Sequence, residues 1–227
     1  MTSNVIKTLD KIKDLSIFQD ELYFVGGTAL SYFINHRISE DIDIISPNTL
    51  DYRKIVPTLI ALGAKKIEDE NTTALRLAGL FPEEYILKFI LEGVKIEFFQ
   101  ANRPIQKKIL QKLNYQNYKN SNLKILDLKS IAKLKVIALL QREKSRDLFD
   151  FYSILENNIL AFDEILSVCS ELKNITSKME LLDFLIEKKE AKDDESVYLN
   201  ENEKVNLSFI EIKERTLLAL KNFSKQF

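Results

Sequence analysis

Hydrophobic positions change their spacing near the middle of the chain. Residues 3–19 place Val5, Leu9, Ile12 and Leu15 at helical intervals, which predicts a first helix. Leu22–Val25 is a short apolar run that predicts a strand, and Thr28 to His36 forms a compact helical pattern behind it. Asp41–Ser46 alternates acid and apolar residue, as a half-buried strand does. Ser46-Pro47-Asn48 breaks the pattern, and a helix is expected over Leu50–Leu62 with Gly63 placed to cap it. Ala64–Glu68, Thr73–Ala78, Tyr85–Leu91 and Val94–Gln100 read as strands, the last two joined at Glu92-Gly93, a tight-hairpin signal.

From Arg103 onward there is no glycine and, after Pro104, no proline. Helical periodicity dominates there. It predicts helices over Lys108–Leu113, Leu128–Gln141 (Asp127 as N-cap), Ser145–Leu155, Phe162–Leu172, Ser177–Glu187 and Leu207–Phe223. Leu123–Leu126 reads as a short strand, Asn114–Asn122 as a polar loop, and the charged run Glu187–Glu195 as a solvated helix end or loop. The expected fold class is therefore α+β. A mixed sheet flanked by helices occupies residues 1–102, and an all-helical half occupies 103–227.

Composition narrows the chemistry. The 227 residues are 45% hydrophobic, enough for a sizeable core. With 33 basic and 34 acidic side chains the net charge is −1, so the total demands neither a nucleic-acid nor a membrane partner. One local basic patch is a candidate, at Lys107, Lys108, Lys112, Lys119 and Lys124. The single cysteine, Cys169, excludes an internal disulfide and a thiolate metal cluster, and its apolar helical surroundings predict a buried structural thiol. The single histidine, His36, excludes a histidine-rich metal site and is expected on an exposed loop. No long apolar segment marks a signal peptide or a membrane span, so a soluble cytoplasmic protein is expected.

The candidate chemistry starts at Gly26-Gly27-Thr28. Glycines at a strand-to-helix junction leave bare N–H groups at a helix N-terminus, a setting that favours phosphate. Asp41 and Asp43, two apart on a strand, project from one face about 6.6 Å apart. Carboxylates so placed repel one another unless a cation lies between them, and a divalent ion with oxygen ligands is the simplest such cation. A lone Gly-Gly is a turn and a lone Asp-x-Asp a solvated strand edge. Both in order, with thirteen residues between Gly27 and Asp41, point to metal and nucleotide phosphate. Arg37 and Ser39 just upstream are placed to contact a phosphate, or else, for Ser39, to hydrogen-bond the glycine loop and, for Arg37, to neutralise Glu40 and Asp41. Glu97, between Ile96 and Phe98, is either a third metal-binding carboxylate or a surface glutamate paired with Lys88 or Lys95. Lys135 and Arg142, seven apart, share a helix face. Arg146, Asp147 and Asp150 start the next helix, where Arg146 and Asp150 are i,i+4 partners that would simply pair.

Gly-Gly, then Asp-x-Asp, then a later strand acid resembles the nucleotidyltransferase superfamily with a polymerase-beta-like palm. Within it, Gly26-Gly27-Thr28-Ala29-Leu30 and His36-Arg37-Ile38-Ser39-Glu40-Asp41-Ile42-Asp43 resemble the AbiEii/AbiGii toxin family of bacterial toxin–antitoxin and abortive-infection systems. That family usually also carries a lysine and then an Arg-Asp-aromatic-x-Asp helix, where this chain has Lys135 and Arg146-Asp147-Leu148-Phe149-Asp150, with leucine at the aromatic position. The resemblance covers roughly residues 22–156, and the third acid here is glutamate where the family pattern has aspartate. It implies an N-terminal nucleotidyltransferase palm that transfers NMP from an NTP to an acceptor hydroxyl with Mg2+ in a two-metal site. Asp41, Asp43 and Glu97 would hold metal. Gly26, Gly27, Thr28, Arg37, Ser39, Lys135, Arg142 and Arg146 would hold nucleotide. Asp147 would either orient Lys135 or act as base. The implied partners are an RNA acceptor (transfer RNA in some relatives) and a separately encoded antitoxin. The alternatives are a small-molecule nucleotidyltransferase of the antibiotic-modifying kind and a non-catalytic nucleotide-binding relative.

Overall fold

The alternating segments of the first half assemble into a seven-stranded mixed sheet. A computed structural model of the chain describes residues 1–68, 72–112, 114–192, 194, 196–199 and 206–223. It divides into two units, Met1–Tyr32 with Ser39–Asp127, and Phe33–Ile38 with Leu128–Phe227.

The first unit opens with α1 (Ser3–Ile12), which buries Val5, Leu9 and Ile12. Extended backbone at Leu15 then separates α1 from a 3-10 turn at Ser16–Gln19, so the single helix expected over 3–19 is two pieces. There follow β1 (Tyr23–Val25), α2 (Gly26–Ile34), β2 (Ile42–Ser46), α3 (Tyr52–Ala61), β3 (Lys65–Ile67), α4 (Thr72–Leu77), β4 (Ile86–Leu91), β5 (Val94–Gln100), α5 (Pro104–Gln111), β6 (Tyr115–Asn117) and β7 (Lys124–Leu126). The strand order is β3-β4-β5-β2-β1-β7-β6. The β2–β5 and β1–β7 pairs are parallel and the others antiparallel. One sheet face carries the core, with Phe24, Ile42, Ile44, Phe89, Ile96 and Phe98 fully buried. Each such side chain contributes about 1.5–3 kcal/mol on burial.

Local signals set the connections. Gly63, at φ +87°, ends α3: its N–H donates to Ile60 O at 2.9 Å and Ala64 N–H to Leu59 O at 3.0 Å. That paired geometry is the left-handed helix stop the sequence predicted. Glu92 and Gly93 both have positive φ (51° and 81°), the mirrored two-residue turn that matches strand twist in a hairpin. The strand expected at Thr73–Ala78 is instead the helix α4. Period-two alternation specifies a strand only when one face is buried, and here Leu77 is 87% exposed. The unit continues past residue 102, since α5, β6 and β7 belong to it and β7 is hydrogen-bonded beside β1. The polar stretch expected as a loop contains β6 and a 3-10 turn at Tyr118–Asn120.

The second unit contains α6 (Leu128–Gln141), α7 (Ser145–Glu156), α8 (Phe162–Lys173), α9 (Lys178–Glu187) and α10 (Phe209–Phe223). A small antiparallel ribbon, β8 (Val197–Tyr198) with β9 (Asn206–Leu207), interrupts the expected all-helical pattern. α7 packs on α6 and α10, α6 on α8, and α9 on α10. Ser177 Oγ accepts from Glu180 N–H at 3.2 Å while the Glu180 carboxylate accepts from Ser177 N–H at 3.1 Å, a capping box that starts α9. Cys169 is buried as expected, and burial pushes its thiol up to about 12. Leu113 of the expected Lys108–Leu113 helix, and Asp193 and Glu195 of the charged run, lie outside the described residues. Among the described residues no helix is long and apolar enough to cross a membrane.

Candidate active site

In the first unit the glycine turn and the strand acids meet. Gly26 opens α2 at φ +80°, and a Cβ built there would lie 2.8–2.9 Å from Asp43 Cγ and Cβ and overlap the carboxylate itself. Glycine is required twice over, for the dihedral and for the approach of Asp43. The helix dipole at this terminus favours the Asp43 charge. Thr28, fully buried, donates its hydroxyl to the Asp41 carbonyl, and its Oγ1 lies 2.8 Å from Ser39 Oγ. Both hydroxyls thus lock the glycine turn to the approach of β2. What the turn itself offers a phosphate is backbone N–H.

The parallel register sets Asp43 beside Glu97 and Ile42 beside Ile96. Asp43 and Glu97 thus share one side of the sheet, and Asp41 lies immediately before β2, where it acts electrostatically on Lys95. Lys88 lies opposite Glu97 on β4. The ion pair is nevertheless made within β5, with Lys95 Nζ 2.8 Å from Glu97 Oε2. Burial would lower the Lys95 ammonium, but Glu97, and then Asp41 and Asp43, raise it above its ordinary value, so it is charged at neutral pH. Among the described residues no three His, Cys, Asp or Glu side chains converge on one metal position. The reason is visible in the contacts: Asp43 is drawn to the start of α2 and Glu97 to Lys95. Asp43 and Glu97, neighbours across β2 and β5, are hard oxygen donors of the kind that fit a divalent ion.

In the second unit a buried ionic network surrounds α7. Asp150 is fully buried. Its carboxylate accepts from Arg37 at 2.6 and 3.1 Å, lies 2.6 Å from His36 Nε2, and is 2.7 Å from Lys135 Nζ. Asp147, 1% exposed, accepts from Arg142 at 2.5 and 2.9 Å and lies 3.5 Å from Lys135 Nζ. Lys135 is therefore held between two aspartates, each with an arginine of its own. Burial alone would raise the Asp150 carboxyl, but Arg37, Lys135 and His36 hold it well below the usual carboxylate range. The pairing expected between Arg146 and Asp150 is replaced by these long-range partners. His36, expected on an exposed loop, has a side chain only 4% exposed. Arg37 serves Asp150 and the Ile38 carbonyl (2.9 Å), and Glu40 and Asp41 are not among these partners. Of the basic patch, Lys119 pairs with Asp10 at 2.9 Å and Lys124 donates to the carbonyls of Gln19 and Asp20.

Burial lowers the His36 imidazole, against the opposing pull of Asp150. An unfolded histidine titrates near 6.5. As pH falls through and below that value the unfolded chain takes up the proton first, so stability is full above about 6.5 and is lost as pH falls. Melting temperature should decline between pH 7.5 and 5, and His36→Gln should flatten the decline. Parallel curves for the two proteins would refute a neutral, buried His36.

The family model for the nucleotidyl transferase AbiEii toxin of type IV toxin–antitoxin systems matches residues 9–207. The chain belongs to this family. As an AbiEii member it is a nucleotidyltransferase, and the resemblance in its two sequence blocks is that of the family. An uncharacterized protein of Aquifex aeolicus (strain VF5) is 26% identical over 152 residues, 67% of this chain and 66% of that protein, just under two thirds of its length. In fold, the chain is similar to an H. pylori protein assigned as a nucleotidyltransferase (TM-score 0.51, 15% identity, 100% of this chain and 97% of the other). It is also similar to MenT4, a nucleotidyltransferase toxin of Mycobacterium tuberculosis H37Rv (TM-score 0.50, 12% identity, 99% and 80%).

Three contacts of the AbiEii chain go beyond the sequence reading. Asp150 gathers Arg37, His36 and Lys135, although Arg37 and His36 lie 113 and 114 residues away. Lys95 stands among the acids. Lys188, in the charged run expected to be solvated, is buried and donates to the Arg142 carbonyl at 2.9 Å. Nothing local in the sequence marks Asp150's distant partners, whereas Lys95 was visible as one of two pairing options for Glu97.

Proposed function

We propose that the chain transfers a nucleoside monophosphate from an NTP to an acceptor hydroxyl in a Mg2+-dependent reaction, with RNA as the acceptor. The observation that carries this reading is Asp43 and Glu97 side by side on β2 and β5, with Asp43 against the Gly26 turn. Asp41, Asp43 and Glu97 would hold the metal. Bound there, divalent ions supply charge stabilisation to a triphosphate and an attacking oxygen. Backbone N–H groups of Gly26, Gly27 and Thr28 bind phosphate, fixed in place by the Thr28–Ser39 latch. The acceptor oxygen attacks the α-phosphorus, the bond to the leaving pyrophosphate breaks, and the hydroxyl proton passes to a base. Lys135 is the phosphate-binding cation of the helical unit, with Arg37 and Arg142 setting its charge environment through Asp150 and Asp147 and Arg146 as a further phosphate contact. Asp147 either orients Lys135 or is the base. The antitoxin is a separately encoded partner that counters this activity.

Titration calorimetry with each NTP, with and without Mg2+, tests the metal assignment. Wild type should bind at least one NTP in a Mg2+-dependent way, and Asp41→Ala/Asp43→Ala should abolish that dependence. Mg2+-dependent binding that survives the double substitution would overturn it. Radiolabelled NTPs incubated with total RNA and total protein would identify the acceptor, and label appearing in protein alone would overturn RNA. Induced expression should arrest growth, and Asp43→Ala should relieve the arrest.

A further inference from the structure

The acids on the sheet face do not stand alone. In the parallel register Ile42 pairs with Ile96 and Asp43 with Glu97, and Asp41 immediately precedes β2. Asp43, Lys95 and Glu97 therefore form a block of side chains on one face of two neighbouring strands, and Asp41, just before β2, acts electrostatically on Lys95 as well. The Lys95 ammonium is 2.8 Å from Glu97 Oε2 and lies in the field of both aspartates. An ammonium is a compact cation with three donors, and neighbouring carboxylates need a positive charge among them. In the absence of metal, Lys95 supplies it at Glu97, next to Lys88 opposite on β4. The Lys95 side chain is 39% exposed, so it has an open path away from the block.

We propose that Lys95 is the built-in counter-cation of the acid block, a positioning residue that holds Glu97 and must give way when a divalent ion binds. This rests on the reading that the three acids hold metal. Lysine then does two opposed things. It holds the carboxylates in their array when no metal is bound, and it competes with the ion for Glu97. Removing the ammonium should leave the acids mutually repelling, and so more avid for an added cation.

Manganese serves as the probe, without nucleotide, by electron paramagnetic resonance and by thermal melting. Lys95→Met should bind Mn2+ roughly ten-fold more tightly than wild type, the order expected for removal of one positive charge a few ångströms away in a partly screened site. Lys95→Arg, which keeps the charge, should stay near wild type. Without metal, Lys95→Met should melt lower than wild type, and saturating Mn2+ should raise its melting temperature by more than that of wild type. Unchanged or weaker Mn2+ affinity in Lys95→Met, with binding lost in Asp43→Asn, would overturn the role of Lys95 and leave the acid site standing. Failure of wild type and both Lys95 variants to bind Mn2+ would overturn the acid site along with it. Lys95→Gln repeats the neutralisation with a polar side chain if the methionine variant does not fold.

Discussion

Asp150→Ala should unfold the helical unit more readily than any other single substitution in it. The carboxylate is fully buried and serves Arg37, His36 and Lys135 together. Deleting it strands the buried Arg37 guanidinium with little water to solvate it and leaves Lys135 with Asp147 alone, 3.5 Å away. Breaking a buried ion pair by removing one partner costs about 3–5 kcal/mol, far more than the pair itself contributes relative to an apolar replacement. In a chain of this size that corresponds to a fall in melting temperature of roughly 10 °C. Asp150→Asn keeps the shape and some acceptor capacity but not the charge, so it should lie between wild type and alanine. A double change, Asp150→Ala with Arg37→Met, should recover part of the loss by removing one stranded guanidinium. Chemical denaturation reads all three variants. A cost below about 1 kcal/mol for Asp150→Ala would show that the network relaxes or admits water.

The Asp150 network also marks where sequence reasoning stopped. The i,i+4 rule pairs Arg146 with Asp150 because it sees only one helix. The actual partners come from the 33–38 segment and from α6, and tertiary packing of that kind leaves no local periodicity. His36 looked like a loop histidine for the same reason: a polar residue between two elements reads as exposed until a buried acid is known to face it. Local geometry was legible where the chain enforces it over a few residues. Gly63 and Glu92-Gly93 were readable because positive φ demands particular residues, and β2 and β5 because acid and apolar positions alternate over a buried face. The strand reading failed at Thr73–Ala78, where Leu75 and Leu77 are exposed and helix α4 forms instead. The two sequence blocks identified the family because glycine turn and acids occur in order. The block of Asp43, Lys95 and Glu97 needed the strand register, since sequence alone left Glu97 with two candidate lysines.

Gly26→Ala should damage stability and activity together, for two separable reasons. At φ +80° any L-residue pays about 1–2 kcal/mol for the left-handed backbone. The added methyl would also overlap the Asp43 carboxylate, and Asp43 is tied to β2 between Val25 and Glu97. Something must shift, and the side chain is the cheaper part to move. If Asp43 holds the metal as proposed, a displacement of about 1 Å there costs on the order of 100-fold in rate. The expected result is a loss of about 2–4 kcal/mol in stability, the strain plus the overlap, and at least a hundred-fold loss of NMP transfer. A double-mutant cycle divides the two causes. In an Asp43→Gly background both the carboxylate and the Cβ that lies 2.9 Å away are gone and only the dihedral strain remains, so Gly26→Ala should then cost about 1–2 kcal/mol. Equal costs in the two backgrounds would mean that Asp43 does not press on the turn. In that case glycine at position 26 would serve the backbone dihedral alone, and the contact between the turn and the acid would have no part in placing Asp43.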